Sequence, residues 1–179
     1  MEKAITNEKR TTGQTGRITL LGLLFALAMV LSVLEGLFPV PVPIPGVRLG
    51  LANIVVMFAL LYLKKADALT LVVLKAIFVA STRGLVAGTL SLTGGLFALG
   101  VMVLILLLRR DKSTLLLISV AGTVFHNLGQ ITAASFIMET VLWVYLPVLL
   151  LSGIVTGFAT SMMLKMTSPV FLKLHLNKF

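Results

Sequence analysis

There is no cysteine among the 179 residues, and only six are acidic. The first absence excludes disulfides and thiol chemistry and decides nothing about compartment. The second is more restrictive. Glu2, Glu8, Glu35, Asp67, Asp111 and Glu139 are dispersed along the chain, with Asp67 and Asp111 isolated in loops between apolar runs. No carboxylate cluster is therefore available to hold Mg²⁺ against a diphosphate. No His, Cys and carboxylate set has metal-ligand spacing. There is no Walker loop, and no Gly-x-Gly-x-x-Gly follows a strand. These gaps predict a non-enzymatic chain with no catalytic residues, no metal and no cofactor. Charge is scarce too: 12% of residues are charged and 58% hydrophobic, against about 25% and about 45–50% in soluble domains. With a mean hydropathy of +1.09, such a chain cannot cover itself with polar groups, so most of its solvent must be lipid. One compact helical bundle is expected, without a second soluble domain.

What charge exists is mostly positive, for a net of +9. A nucleic-acid surface would gather it into a stripe; here Lys and Arg stand in short groups between apolar runs, so no nucleic-acid partner is expected. Six runs are predicted to span the bilayer: Ile18–Leu37, Leu49–Leu63, Ala66–Thr82, Leu90–Leu108, Ser113–Ile137 and Val141–Leu164. A span needs roughly 20 residues, or about 17 at the short end, which makes the second and third marginal: two short helices shielded by neighbours, or one re-entrant pair. Charge favours two spans. With the N-terminus in the cytoplasm, Lys3, Lys9, Arg10, Arg17, Lys64, Lys65, Arg109, Arg110, Lys112, Lys165, Lys173 and Lys178 all fall inside, leaving only Arg48, Lys75 and Arg83 elsewhere. Basic segments are retained inside, so both termini are placed in the cytoplasm and the span count is even. The fold class is all-α, a polytopic membrane bundle. Residues 1–17 read as a polar cytoplasmic tail, mobile over 1–16, residues 18–164 as the six-helix domain, and residues 165–179 as a basic cytoplasmic tail. The first run follows a basic segment as a signal peptide would, but it ends in Glu35-Gly36 without a small-x-small site and reads as an uncleaved span. The expected location is the inner, cytoplasmic membrane.

Phe38-Pro-Val-Pro-Val-Pro-Ile-Pro-Gly46 has proline at every second position. Each ring removes a donor and holds the preceding residue extended, so a stiff strap over the outer mouth of the bundle is predicted, with a plain connector as the bland alternative. Trp143 and Tyr145 open the last span at the outer interface. Gly153 and Gly157, extended by Ser161, form a Gly-xxx-Gly pair suited to internal packing. Gly22 and Ala26 form a small-xxx-small pair in the first span. Gly84, Gly88, Gly94 and Gly95 predict an irregular outer turn and a loosely wound start to the fourth span.

Ionisable and amide side chains are expensive in lipid, about 2.5–3.5 kcal/mol for a charge at the bilayer centre on insertion scales, so their positions carry information. Glu35 ends the first span. Arg48 begins the second, with Asn53 about a turn further in. Lys75 lies mid-way along the third, and Arg83 closes it. Ser91 and Thr93 begin the fourth. His126, Asn127 and Gln130 lie in the fifth, and Glu139 follows it. All fall in the outer half. His126 and Gln130 are four apart with Asn127 one position round, an arc of about 100° on one helix, and such an arc should face protein or ligand rather than lipid. An outward-opening pocket for an uncharged or anionic solute is one reading. The other is interhelical glue, with amide and histidine pairs worth about 0.6–2 kcal/mol, Lys75 paired with Glu35 or snorkelling, and Arg48 and Arg83 snorkelling to the interface.

Four segments carry a resemblance: Val47-Arg-Leu-Gly-Leu-Ala-Asn-Ile-Val55, Gly88-Thr-Leu-Ser-Leu-Thr-Gly-Gly95, Ala121-Gly-Thr-Val-Phe-His-Asn-Leu-Gly-Gln130 and Tyr145-Leu-Pro-Val-Leu-Leu-Leu-Ser-Gly-Ile-Val-Thr-Gly157. Together they resemble the Gx transporter family, also called heptaprenyl diphosphate synthase component I, with His-Asn-x-Gly-Gln the most specific element. The plan is also similar to the substrate-binding S components of energy-coupling factor (ECF) vitamin transporters. The resemblance implies a substrate site at Arg48, Asn53, Ser91, His126, Asn127 and Gln130, to which the residue positions add Lys75 and Arg83. It implies that Gly22 and Ala26 contact an ECF-type coupling subunit driven by separate ATPases, although Gly22 departs from the usual Ala-xxx-Ala. Fold likeness of this kind is an analogy. The function expected is a substrate-binding subunit for uptake of a small hydrophobic or anionic molecule, such as a vitamin, cofactor precursor or isoprenoid-related compound. The rivals are a non-catalytic membrane subunit associated with polyprenyl diphosphate or quinone metabolism, and a redox-complex module.

Overall fold

In the computed structural model, residues 2–37, 48, 50–109 and 114–173 are described, with side chains over 15–37, 48, 50–108 and 114–167. Among the described residues the structure is entirely helical. The helices are α1 (Glu2–Leu37), α2 (Asn53–Tyr62), α3 (Lys65–Arg83), α4 (Leu85–Arg109), α5 (Leu115–Met138) and α6 (Leu146–Lys173), the last preceded by a 3-10 turn over Trp143–Tyr145. Four helical segments, Thr15–Leu37, Leu85–Leu108, Leu115–Met138 and Trp143–Thr167, are long and apolar enough to cross a membrane. Their outward faces are leucine, valine and phenylalanine, as lipid solvent demands.

The two marginal runs differ from the rest in instructive ways. α2 has ten residues, about 15 Å of helix, and seven of them are buried, so apolar residues surround it on all sides and its neighbours shield it from lipid. α3 has 19 residues, about 28 Å, but Lys65, Asp67, Lys75 and Arg83 interrupt its apolar character.

Contacts define the order. α1 and α3 run parallel, with Arg17 meeting Asp67 at one end and Ser32 meeting Arg83 at the other. α3 and α4 are antiparallel, joined by a single residue, Gly84, whose φ of +92° suits glycine. α4 and α5 are antiparallel, Gly94 facing His126 and Gly122 facing Met102, and α6 returns along α5. A large apolar core built on α2, with Val55, Met57, Leu71 and Met102, fills the middle. A smaller one, with Leu90, Ile131 and Leu149, lies toward the Arg83 end.

Several expectations change. Residues 2–16, expected as a mobile tail, continue α1 as helix; their glycines are isolated and no proline interrupts them. α6 extends past residue 164 to Lys173. The start of α4 is regular helix rather than loosely wound. Its glycines serve close approach instead: a Cβ on Gly88 would lie 2.5 Å from the Cβ of Ala80, and one on Gly95 would lie 2.7 Å from Val72. Asp67 is not isolated in a loop. It sits in the first turn of α3, buried, and accepts hydrogen bonds from Arg17 Nε at 2.9 Å and from the Lys64 amide at 3.2 Å. The proline strap over 38–46 and Asp111 lie outside the described residues.

Candidate functional site

α1 is apolar for most of its length within the bundle, so Ser32 and Glu35, three positions apart on one face, stand out when buried against α2 and α3. The Glu35 carboxylate accepts hydrogen bonds from the amides of Gly50 and Leu51, the latter at 3.2 Å. It thereby supplies negative charge just ahead of the first turn of α2. Gly50 has φ of +87°, and a Cβ there would lie 2.9 Å from the His126 ring, so both conformation and space require glycine. The carbonyl of Glu35, one of the last four of α1, accepts from Arg48 Nη1 at 3.3 Å, and that of Ser32 accepts from Arg83 Nη2. Both guanidiniums are thus drawn to the negative end of α1 rather than snorkelling away.

Deeper in, Lys75 Nζ donates to Asn53 Oδ1 at 2.8 Å, which is its partner in place of Glu35. From α5, Gln130 Oε1 accepts from the Arg48 amide at 3.1 Å, and Gln130 Nε2 lies 3.0 Å from His126 Nε2. The other ring nitrogen of His126 abuts Gly94 of α4. Glu35, Lys75, His126 and Gln130 are each 4% exposed or less. One cavity is lined by Ser32, Glu35, Arg48, Lys75, Arg83, Ser91, His126 and Gln130.

The expected residues are therefore brought together, with two qualifications. Asn53 stands behind the cavity and reaches it through Lys75. Asn127 does not join it: its Nδ2 donates to the Leu149 carbonyl of α6 at 2.7 Å. It belongs to a ladder in which Thr123 Oγ1 donates to Gly153 O at 2.6 Å and Ser119 Oγ to Gly157 O at 2.7 Å. Three α5 side chains four residues apart meet three α6 carbonyls four residues apart. Gly153 and Gly157 make this possible, since a Cβ on Gly157 would lie 2.6 Å from the Val120 Cα. The Gly-xxx-Gly pair is used internally, as expected.

The pocket differs from expectation in size. It measures about 20 Å³, room for about one water, because Glu35 closes on the Gly50 and Leu51 amides and Gln130 on the Arg48 amide. Its charge is unbalanced all the same. Three cationic side chains, Arg48, Lys75 and Arg83, face one carboxylate, Glu35. The two guanidiniums converge: a Cβ on Gly36 would lie 3.2 Å from Arg83 Nη2 and 3.6 Å from Arg48 Nη1. Like charges brought together in a partly desolvated place favour an anion between them. Ser32 and the ladder members Ser119 and Thr123 went unnoticed in sequence. Ser32 had a signal, a lone hydroxyl three residues before Glu35; the ladder had less, because half of it is backbone.

Gly22 and Ala26 are exposed on α1, and a Cβ on Gly22 would meet nothing within 4 Å. That face is available to lipid or to a protein.

Residues 24–167 match the family described as heptaprenyl diphosphate synthase component I. No curated protein and no solved structure matches the chain. Since the match covers most of its length, the chain belongs to the heptaprenyl diphosphate synthase component I family.

Proposed function

We propose that this member of the heptaprenyl diphosphate synthase component I family is a substrate-binding membrane subunit, similar in plan to ECF S components, that captures a small hydrophobic or anionic molecule for uptake. A vitamin, a cofactor precursor or an isoprenoid-related compound is the class in view. One observation carries the reading: side chains from α1, α3, α4 and α5, with Arg48 ahead of α2, converge on a single buried cavity with a surplus of positive charge. Helix packing alone has no use for three cations around one carboxylate, whereas an anion-binding site requires such an excess.

In this reading the helices cross the membrane six times, with both termini in the cytoplasm of the inner membrane and the Arg83 end facing outward. The chain is not an enzyme. Substrate enters between Arg48 and Arg83, displaces the bond of Gln130 to the Arg48 amide and its contact with His126, and widens a cavity that these contacts hold contracted. The ligand's own acceptors replace those contacts, so the cost of opening is offset. Energy for release on the other side comes from a coupling subunit and ATPases docked on the Gly22 and Ala26 face. Native mass spectrometry of the purified protein tests the reading. A co-purifying small molecule lost in a His126→Phe, Gln130→Met variant that still melts cooperatively supports it; the same molecule retained in that variant contradicts it.

The family description favours a second reading, a non-catalytic membrane subunit associated with polyprenyl diphosphate or quinone metabolism. Recovery of a soluble prenyl synthase with the tagged chain, and a rise in its activity on adding the chain, would favour this reading over capture.

A further inference from the structure

A second concave site lies where α5 ends and the 3-10 turn before α6 begins. Its volume is about 260 Å³, and Ser135, Phe136, Glu139, Thr140, Val141 and Trp143 line it. Charge gives it half of its character. Between Lys112 and Lys165 the chain has no Lys or Arg, and among the described residues no cation lines this cavity. The Glu139 carboxylate is exposed and has no hydrogen bond or ion pair among the described residues. It directly follows the last turn of α5, where outward carbonyls already give a helix its negative end. A basic residue is the ordinary choice at such a position; here a carboxylate adds negative to negative.

The rest is aromatic and polar. Phe136 is exposed and Trp143 about half exposed. An aromatic face attracts a cation through its quadrupole, tryptophan most strongly. Ser135 Oγ is buried and without a partner, although Thr132 of the same helix bonds back to its own backbone. Anchoring at the membrane interface accounts for the two rings, but for neither the carboxylate nor the orphan hydroxyl. One carboxylate falls short of the several oxygen ligands that a divalent metal needs, and no group of three metal-ligating side chains occurs among the described residues. Negative charge beside aromatic walls instead selects an organic ammonium group.

We propose that the end of α5 binds the ammonium headgroup of a bilayer lipid, held between the Glu139 carboxylate and the Trp143 ring with Ser135 Oγ as a further acceptor. The surroundings favour a lipid over a dissolved amine. The rim is apolar, Phe136, Ile137, Val141 and Val144 all being exposed, and Trp143 stands at the depth expected of headgroups. Acyl chains cover that rim, whereas a dissolved amine would leave it bare. The site shares no lining residue with the polar cavity and takes a ligand of the opposite charge, so it goes beyond the capture reading. Its occupant braces the turn that joins α5 to α6.

Native mass spectrometry of the full chain, released from nanodiscs of equal phosphatidylethanolamine and phosphatidylglycerol, tests this by the ratio of the two lipids retained. Phosphatidylglycerol has the same chains and phosphate but no ammonium, and its retention by basic residues elsewhere is common to every variant. Glu139→Gln, of the same shape and at an exposed position, should lower the ratio about 5-fold, and Trp143→Leu about 2-fold. Both should melt as the wild type does. An unchanged ratio in either variant would overturn the site. Excess free ethanolamine should leave the ratio in place; stripping of phosphatidylethanolamine by it would assign the site to a dissolved amine and overturn the lipid. Arg48→Ala with Arg83→Ala should leave the ratio unchanged, so this inference and the capture reading fail separately. A fall in that variant as large as in Glu139→Gln would place the ammonium at the polar cavity and overturn the proposal.

Discussion

α5 carries two sets of polar residues four apart, and they do opposite work. Ser119, Thr123 and Asn127 donate to the carbonyls of Gly157, Gly153 and Leu149, and the helix they meet is held by backbone they cannot choose. His126 and Gln130 meet each other and, through Gln130, the Arg48 amide, beside a cavity that Arg48, Lys75 and Arg83 also line. The spacing is the same in both sets, which share one arc of α5; the partner differs. A donor matched to a carbonyl in a packed seam is finished, because nothing else can reach it. Groups that satisfy each other through long, rotatable side chains around a net charge can exchange partners, as binding requires.

Substitutions in the two sets should separate stability from binding. The largest effect should come from Gly157→Leu. Its side chain would collide with the Val120 backbone, force α5 and α6 apart and break the ladder, at a cost of about 3 kcal/mol or more. Thermal melting in detergent should show a large drop, and an unchanged midpoint would show that the seam is not tight. Next come Thr123→Val and Asn127→Ala, each expected to lose about 1 kcal/mol through a deleted donor, since the α6 carbonyls keep their own helical partners. Denaturant titration should record that loss while bound ligand is kept; loss of ligand at unchanged stability would move Asn127 back into the site. Further round the same arc of α5, His126→Phe with Gln130→Met keeps volume and removes their mutual contact from both sides, and leaves the Arg48 amide without its acceptor, a cost of about 1 kcal/mol. Its melting temperature should fall by no more than that of Thr123→Val while bound ligand is lost, and a larger fall with ligand kept would make these residues glue. The pair Arg17 and Asp67 joins α1 to α3 at the other end of the bundle, where Arg17 reaches solvent. Asp67→Asn should give a small, salt-dependent change in melting, since screening weakens such pairs. Gly22→Leu should change nothing in the isolated chain, whose packing leaves that face empty; reduced recovery of a coupling partner would be its only consequence.

Much of the site could be read from the sequence because polar residues are so few. In a chain this apolar, Arg48, Lys75, Arg83, Ser91, His126 and Gln130 had to be accommodated somewhere, and burial brought them to one place. Asn127 lies next to His126, yet one residue along a helix is a rotation of about 100°, and that turns it from the cavity to the Leu149 carbonyl. Periodicity gives the angle between them; which side meets α6 depends on tertiary packing. The ladder was hidden for a related reason, since its acceptors are main-chain carbonyls that no residue type encodes. α2 looked marginal because length rules assume contact with lipid, and this helix is sheathed by its neighbours. The glycines of α4 look like a loosened helix in sequence, yet Gly88, Gly94 and Gly95 each remove a side chain where α3 or α5 presses closest. Cavity volume has no sequence signature, and the contraction around Glu35 and Gln130 came only with coordinates.

The central claim is that two guanidiniums beside Gly36 are there to hold an anion. Native mass spectrometry of the intact protein and of an Arg48→Ala, Arg83→Ala variant, released from the same nanodiscs, measures it directly. The wild type should emerge with a stoichiometric anionic small molecule, and the variant, folded and melting normally, should emerge without one. Both proteins emerging bare, or both carrying the same molecule, would contradict the claim.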